Sequence, residues 1–510
     1  MMQLRQYQNE ALSAIAEGWR EFNRQLLVLP TGTGKTIVFA NVTKAFADSG
    51  HHVLILAHRD ELLQQAADKL SVACGVHSTL EKANHRAYEL QDTFTPPNVV
   101  VGSVQTLKQN RLEKWREDYF DLMVIDEAHH CLSDSYNRIL NYFDAKVLGV
   151  TATPDRGDKK TLSKVFQNIA YEYSMRTAIE EGNLCKITAK LLPTRIDLSD
   201  IRTVAGDYNV NDLVEKISPL LVDVSKQIAE NIGTRKTLIF LPLINTSQKM
   251  TLLLQQHGIS AAHVDGESKD RREILKDFES GKYQVLCNSS LLLEGYDCPE
   301  ISCVVCLRPT KIRSLFCQMM GRGTRIHPNK ENLLILDFLW QTAKHDLCVP
   351  ASLFSKTKEE NAALSEKLSF EKETDLLEAE RDVIKEREES LLKQLKEKSQ
   401  RQGKTINPIL FALSIHAEDL SDYEPISDWE VAPASDKQLE FLSKSGFDPA
   451  TITCKGYASK IIDRIMKRRD LKLATPKQVL LLQKYHIDAS EMSFDAASKA
   501  IDTISKGWKK

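Results

Sequence analysis

An apolar run, Leu26-Leu27-Val28, leads without a break into Leu29-Pro30-Thr31-Gly32-Thr33-Gly34-Lys35-Thr36. A buried strand that turns through glycines into a helix opening at Lys35 makes a concavity of backbone N–H groups. The helix N-terminus adds its partial positive charge to that concavity. Such a loop is a phosphate cradle, formed here by Thr31, Gly32, Thr33 and Gly34. Lys35 faces the β- and γ-phosphate oxygens, and the Thr36 hydroxyl is a ligand for Mg²⁺. The general pattern opens on Gly where this chain has Leu29.

A second apolar run, Leu122-Met123-Val124-Ile125, ends in Asp126-Glu127-Ala128-His129. Asp126 is expected to join the Mg²⁺ shell and Glu127 to polarise an attacking water, the arrangement that in-line phosphoryl transfer needs. Far downstream, Gln318-Met319-Met320-Gly321-Arg322-Gly323-Thr324-Arg325 sets two arginines three residues apart, on one face of a helical turn. The planar guanidinium suits transition-state charge on phosphate, and Gln318 could orient water or phosphate from the same turn. Arginines so distant from the loop imply two domains closing on one nucleotide.

Apolar runs alternate with helical stretches, which predicts an α/β fold with parallel sheets. The first half offers strands at Leu26–Leu29, Val53–Leu56, Val99–Val101, Leu122–Ile125 and Val147–Val150. The second half repeats the pattern at Thr237–Leu241, Ala261–Val264, Gln284–Cys287, Cys303–Leu307 and Leu333–Leu336. The motifs fall at the C-terminal ends of strands, where open α/β sheets hold ligands.

In this order the motifs resemble those of superfamily 2 DEAH-box helicases and translocases, over most of residues 1–345. Gln8, in Leu4-Arg5-Gln6-Tyr7-Gln8, looks like the glutamine that reads adenine, with Arg5 beside it. Ala57-His58-Arg59-Asp60 and Val104-Gln105-Thr106 look like the nucleic-acid motifs of the first domain, and Thr151-Ala152-Thr153-Pro154 like the coupling motif. Ser289 and Glu294-Gly295-Tyr296-Asp297 look like the motif preceding the arginines. The resemblance implies that Lys35, Asp126, Glu127, Gln318, Arg322 and Arg325 are catalytic. It places Arg5, Gln8, the phosphate loop, Gly295 and Asp297 on ATP, and Thr36 and Asp126 on Mg²⁺. His58, Arg59, Gln105, Thr106 and Ser289 would contact nucleic acid, while Thr151 and Thr153 couple the two sites. The fold implied is two RecA-like parallel-sheet domains in tandem, 1–175 and 176–350, then an all-α C-terminal extension.

Within the superfamily the chain is similar to the RadD/XPB-like and restriction-motor DNA groups. That implies an ATP-dependent DNA helicase or translocase acting in replication, recombination or repair, on single-stranded or branched DNA. A duplex translocase working with a nuclease, and an RNA helicase, stay open as alternatives. A net charge of −2 excludes a generally basic nucleic-acid binder, so phosphate contacts must be local. No apolar stretch approaches membrane-spanning length and no signal pattern opens the chain, so a cytoplasmic protein, bacterial or phage-encoded, is expected. The ten cysteines suggest no disulfide framework. Cys298, Cys303, Cys306 and Cys317 read as core thiols rather than zinc ligands, because alternation along a strand would point Cys303 and Cys306 to opposite faces.

Residues 351–429 are dense in Glu and Lys with widely spaced apolar pairs and read as a charged helical connector. Residues 430–510 hold an internal repeat: Ala434-Ser435-Asp436-Lys437-Gln438-Leu439 recurs as Ala474-Thr475-Pro476-Lys477-Gln478-Val479, and Ala458-Ser459-Lys460 as Ala497-Ser498-Lys499. Two small helical repeats are expected, read as a docking appendage for DNA or a protein partner.

Overall fold

The computed structural model describes residues 4–57, 63, 67–68, 70–72, 74–82, 85–107, 109–152, 162–192, 201–204, 207–266, 268, 270–289, 296–338, 348–355, 357–368, 372–399, 406–421, 423, 425, 428–485 and 487–507. It divides into a unit over 1–381 and a unit over 382–510.

The first unit holds two lobes, each built on a seven-stranded sheet. The first lobe opens with helix α1 (Gln6–Gly18) and strand β1 (Arg24–Val28), followed by α2 (Lys35–Asp48). Its other strands are β2 (Val53–Ala57), β3 (Thr79–Glu81), β4 (Val99–Ser103), β5 (Leu122–Asp126), β6 (Lys146–Thr151) and β7 (Asn168–Glu172). They run in the order β3-β4-β2-β5-β6-β1-β7, parallel throughout. β1 lies beside β6 and one strand from β5, so the loop after β1 and the carboxylates after β5 leave the same sheet edge. The apolar strand residues are covered by Leu112, Trp115, Tyr119, Phe120, Tyr136, Ile139 and Phe143. Burying that surface stabilises the lobe by roughly 25 cal/mol for each Å² removed from water.

The second lobe contains β8 (Lys186–Leu191), a short hairpin β9 (Thr203–Val204) and β10 (Asp207–Tyr208), helix α3 (Leu221–Asn231), β11 (Thr237–Phe240) and α4 (Ile244–Gln256). After these come β12 (Ala261–Val264), β13 (Val285–Asn288), β14 (Cys303–Cys306), α5 (Arg313–Gly321), β15 (Asn332–Asp337) and β16 (Thr374–Asp375). The sheet order is β12-β13-β11-β14-β15-β8-β16, with only β16 antiparallel. Cys303 and Cys306 lie buried inside β14, and burial pushes both thiols up to about 12.

All ten expected strands are present, with ends shifted by up to two residues. Four more, β3, β7, β8 and β16, lie at or next to the sheet edges. The stretch 170–218, in which no strand was expected, supplies β8, paired residue for residue with β15 from Lys186–Asn332 to Leu191–Asp337. The connector read over 351–429 contributes β16 to the same sheet, beside the bond from Thr188 Oγ1 to Glu373 at 3.1 Å.

The second unit is helical. Its first core gathers Ile406, Phe411, Leu420, Leu442, Phe447, Tyr457 and Ile461, so it reaches back well before the expected start at 430. The repeat appears as α6 (Asp436–Lys444) with α7 (Lys455–Asp470), then α8 (Pro476–Gln483) with α9 (Phe494–Gly507). Each pair is tied by one device. Ser435 and Thr475 cap the first helix against Gln438 and Gln478, whose Nε2 atoms donate to Ser459 and Ser498, both at 2.9 Å. Arg468, buried between the copies, donates to the carbonyls of Ala474 and Ser490. Among the described residues no helix is long and apolar enough to cross a membrane.

Gln478→Ala removes a cap partner and the interhelix tie together. It should cost about 1 kcal/mol, raising amide exchange in the first turn of α8 roughly fivefold. Unchanged exchange would mean that the duplicated bond contributes nothing.

Candidate nucleotide site between two lobes

After β1 the chain is pinned by Leu29 N donating to Thr151 O at 3.0 Å, then turns through Gly32 (φ +94°) and Gly34 (φ +82°). Both glycines are left-handed, where a side chain would be strained. Gly34 caps α2 with no side-chain acceptor; Ile37 N and Val38 N donate to Gly34 O, which leaves the amides of Lys35 and Thr36 at the mouth of the helix as donors for an anion. Lys35 opens the helix, with Thr36 half-buried in its first turn.

The N-terminal helix clamps this loop. Tyr7 Oη and Gln8 Nε2 both donate to Thr33 O, at 2.5 and 3.2 Å, while Gln8 Oε1 accepts from Arg5 N at 3.0 Å. Tyr7 stacks on Tyr173 with ring centroids 4.4 Å apart, and the Arg5 guanidinium reaches Asn183 Oδ1 at 3.3 Å. Gln8 therefore lies against the loop with both ends of its amide in use.

β5 ends at Asp126, whose carboxylate accepts from the N–H of Glu127 at 3.0 Å. Glu127 is left-handed (φ 52°, ψ 56°), a conformation costing a non-glycine residue about 1 kcal/mol or more. Its Oε1 lies 3.4 Å from Lys35 Nζ and its Oε2 3.5 Å from His129 Nδ1. Burial alone would raise this carboxyl. Lys35, His129 and Arg322 together outweigh burial and hold it below the usual carboxylate range.

The second lobe meets the loop through α5. Gln318 and Arg322 are buried, and a Cβ on Gly321 would lie 2.5 Å from the Cβ of Thr31. Thr324 Oγ1 donates to Thr31 O at 3.2 Å, and a Cβ on Gly32 would sit 3.0 Å from the same hydroxyl. Arg322 Nη1 donates to Tyr296 O at 2.9 Å, and Arg325 Nη1 pairs with Asp297 at 2.5 Å. Asp297, placed on the nucleotide by the sequence, is thus the partner of an arginine.

The structure brings Arg5, Gln8, Lys35, Glu127, Arg322 and Arg325 to one junction. Thr151 is buried at the end of β6, under the loop. Gln105 is exposed and Thr106 half-buried after β4, and Ser289 is half-buried after β13. His58, Arg59, Thr153 and Gly295 lie outside the described residues.

Sequence reasoning missed a support beneath the arginines. Lys330 is buried and donates from Nζ to the carbonyls of Gly323 and Arg325, the latter at 2.9 Å. Cys185 N holds Thr324 O at 2.9 Å and its thiol points at Gly323 O. Burial holds the Lys330 ammonium below the usual lysine range. In sequence Lys330 sits in Pro328-Asn329-Lys330-Glu331, which reads as a solvated turn. No pattern in one dimension reports a partner that is a backbone carbonyl.

A phosphate loop and a strand-end carboxylate pair in one lobe, met by an arginine turn from another, define a two-lobed motor ATPase fold. Residues 1–156 match the family described as type III restriction enzyme, res subunit, and 219–327 match the helicase conserved C-terminal domain. The chain belongs to superfamily 2 of the ATP-dependent helicases, with the restriction-motor-like and XPB-like members. It is 32% identical over 375 residues to IRC3 of Saccharomyces cerevisiae, which bears the name of an ATP-dependent helicase; the match covers 69% of this chain and 53% of that one. It is 26% identical to a type I restriction enzyme EcoAI endonuclease subunit of Escherichia coli, over 65% of this chain and 45% of the relative. The chain thus spans about half the length of these relatives. The type ISP restriction-modification enzyme LlaBIII, solved bound to DNA, shares the fold with a TM-score of 0.56 at 15% identity, covering 97% of this chain and 43% of that one.

Gly321→Ala should keep the lobes apart. ATP turnover is expected to fall at least about tenfold, equivalent to 1.4 kcal/mol, with the melting temperature nearly unchanged; wild-type turnover would show that this contact is absent from the hydrolytic state. Lys330→Met should lower kcat with little change in KM for ATP, and Lys330→Arg should restore part of the loss. Equal effects on kcat and KM would argue against a positioning role.

Proposed function

We propose that the chain is a DNA-stimulated ATPase that couples hydrolysis to strand separation or remodelling of DNA in replication, recombination or repair. The observation that carries this reading is the meeting of Lys35 and Glu127 from one lobe with Arg322 from the other. One carboxylate between a lysine and an arginine, with His129 beside it, suits the charge of a nucleotide polyphosphate.

In this reading Lys35 and the first-turn amides of α2 hold the phosphates, and Gln8 reads the base. Glu127 polarises the attacking water. Gln318, Arg322 and Arg325 approach from the second lobe, with Lys330 and Cys185 fixing the turn that carries the arginines. Mg²⁺ would be held by Thr36 and Asp126, whose hydroxyl and carboxylate are hard oxygen donors at the open end of the loop; it would neutralise phosphate charge. For Arg325 to reach phosphate it must leave Asp297, and for Lys35 to do so it must loosen from Glu127. Binding therefore exchanges internal ion pairs for phosphate contacts that span both lobes, and hydrolysis releases the span. Nucleic acid gripped by both lobes would then be stepped, with Gln105, Thr106 and Ser289 as contacts beside His58 and Arg59. Thr151 and Thr153 couple the two sites.

A second reading, a duplex translocase serving a separate nuclease or other partner, is favoured by the restriction-enzyme relatives. ATP hydrolysis by wild type and Lys35→Ala, with single-stranded, duplex and forked DNA and with RNA added separately, decides among the readings. Strong stimulation of wild type by DNA alone, lost in Lys35→Ala, is the expected result. Best stimulation by duplex without unwinding would favour the second reading. Stimulation by RNA as strong as by DNA would overturn the DNA assignment. Replacing Thr151 and Thr153 by Ala should leave nucleotide binding intact and reduce unwinding more than hydrolysis; parallel losses would remove their coupling role.

A further inference from the structure

Over residues 430–510 the chain has fifteen Lys or Arg against ten Asp or Glu, in a protein whose net charge is −2. The two repeats reveal how that local excess is deployed. Superposed on the Gln438–Ser459 and Gln478–Ser498 bonds, the copies differ at several positions, Asp436 standing opposite Pro476, Glu440 opposite Leu480, Ser445 opposite Tyr485 and Arg464 opposite Thr503, while the exposed Asp463 repeats as Asp502. The lysines have drifted less: Lys444 repeats as Lys484 and Lys467 as Lys506, although Lys455 stands opposite Phe494. Lys437 matches Lys477 and Lys460 matches Lys499, and all four are exposed.

Core positions must repeat if both copies are to fold, but an exposed lysine need not, and of the four Lys477 lies over a glycine, Gly446. Lys437 immediately precedes Gln438, and Lys460 immediately follows Ser459. In each copy two lysines therefore flank the one bond that fixes the opening of the first helix against the second. Lys477 and Lys499 do the same around Gln478 and Ser498. Among the described residues none of the four is paired with a carboxylate. The same cationic pair is thus presented twice, on a rigid mount, in tandem helical hairpins whose relation Arg468 fixes. A ligand that rewards duplication of one cationic pair is one that repeats its own negative charge.

We propose that the C-terminal repeats form a nucleic-acid backbone-binding site, in which Lys437 with Lys460 and Lys477 with Lys499 each contact successive phosphates of one DNA strand. The site deepens the DNA-motor reading and rests on it for its substrate, but its chemistry is that of a repeating phosphate chain and needs no base contact. It tethers the motor to DNA through the stages of the ATP cycle in which the lobes loosen.

The test is direct binding of fluorescein-labelled single-stranded and duplex oligonucleotides to the full chain, without nucleotide, across a salt series. The variant is Lys437→Gln, Lys460→Gln, Lys477→Gln and Lys499→Gln together, with the four Lys→Arg changes as control. Each lost phosphate contact should flatten the slope of log K against log salt by roughly 0.7 to 0.9, so the fourfold Gln variant should lose about three units and bind at least about tenfold more weakly at physiological salt. The loss should be the same for unrelated base sequences, the Arg variant should bind like wild type, and ATP turnover without DNA should be unaffected. Unchanged affinity and slope would overturn the proposal, leaving the lysines to an acidic protein partner or to solubility. A loss of affinity that the Arg variant shares would also overturn it, because it would report altered structure rather than lost charge. If DNA fails to stimulate wild-type hydrolysis, the motor reading falls while this binding assay still reads the tail.

Discussion

The close approach of Gly321 to Thr31 is the contact on which the rest of the first unit depends. No side chain fits between Gly321 and the side chain of Thr31, so the arginine turn reaches the phosphate loop this closely because residue 321 has no Cβ. That approach carries Arg322 close enough to Glu127 to help hold it ionised against burial. The junction then holds one strained carboxylate surrounded by Lys35, His129 and Arg322. Largely buried cations such as Lys35 and Arg322 cost stability unless something anionic shares their charge. The protein keeps part of this charge quiet by internal pairing: Lys35 leans on Glu127 and Arg325 on Asp297. In the proposed cycle a polyphosphate would compete for both cations at once, and those cations lie on different lobes.

Much of this was legible in the sequence, for a physical reason. Strands buried on both faces, such as β2, β5 and β14, must be apolar throughout, and their runs stand out. The loop glycines and the Asp126-Glu127 pair are fixed by chemistry that tolerates few substitutes. What was missed lies where composition is ambiguous. β8 reads Lys-Ile-Thr-Ala-Lys-Leu, its lysines turned outward beside the covering strand β16. β3 and β7 are edge strands with polar ends. Lys330 and Cys185 act on backbone carbonyls, which leave no trace in side-chain patterns. Asp297 was assigned by likeness to nucleotide contacts, and only three-dimensional proximity gives it Arg325.

The tail follows the same logic from the other direction. Its duplication was visible because two copies of one small fold must repeat their caps and core. Its start was not, because a hairpin of about 35 residues buries too little surface to stand alone. The structure supplies the remainder from upstream: Phe411, Ala412 and Leu420 complete the core under Leu442 and Phe447. Ser414 then reaches Gln483 in the second copy at 2.6 Å. The apparent spacer thus ends in a third layer that both repeats share.

The position of β8 has a practical meaning for anyone dividing this protein. Chain order places Lys186–Leu191 next to the first lobe, and the matched C-terminal helicase region begins only at 219 and ends at 327. A fragment cut to those limits would leave out β8 and β15 and expose the flank of β14. It would also lose Cys185 and Lys330, the two groups that shape the arginine turn. Among the described residues the second lobe therefore extends past its family outline, from before Cys185 to beyond Asp375, and the chain passes to it from the first lobe through the short stretch from Glu172 to Leu184.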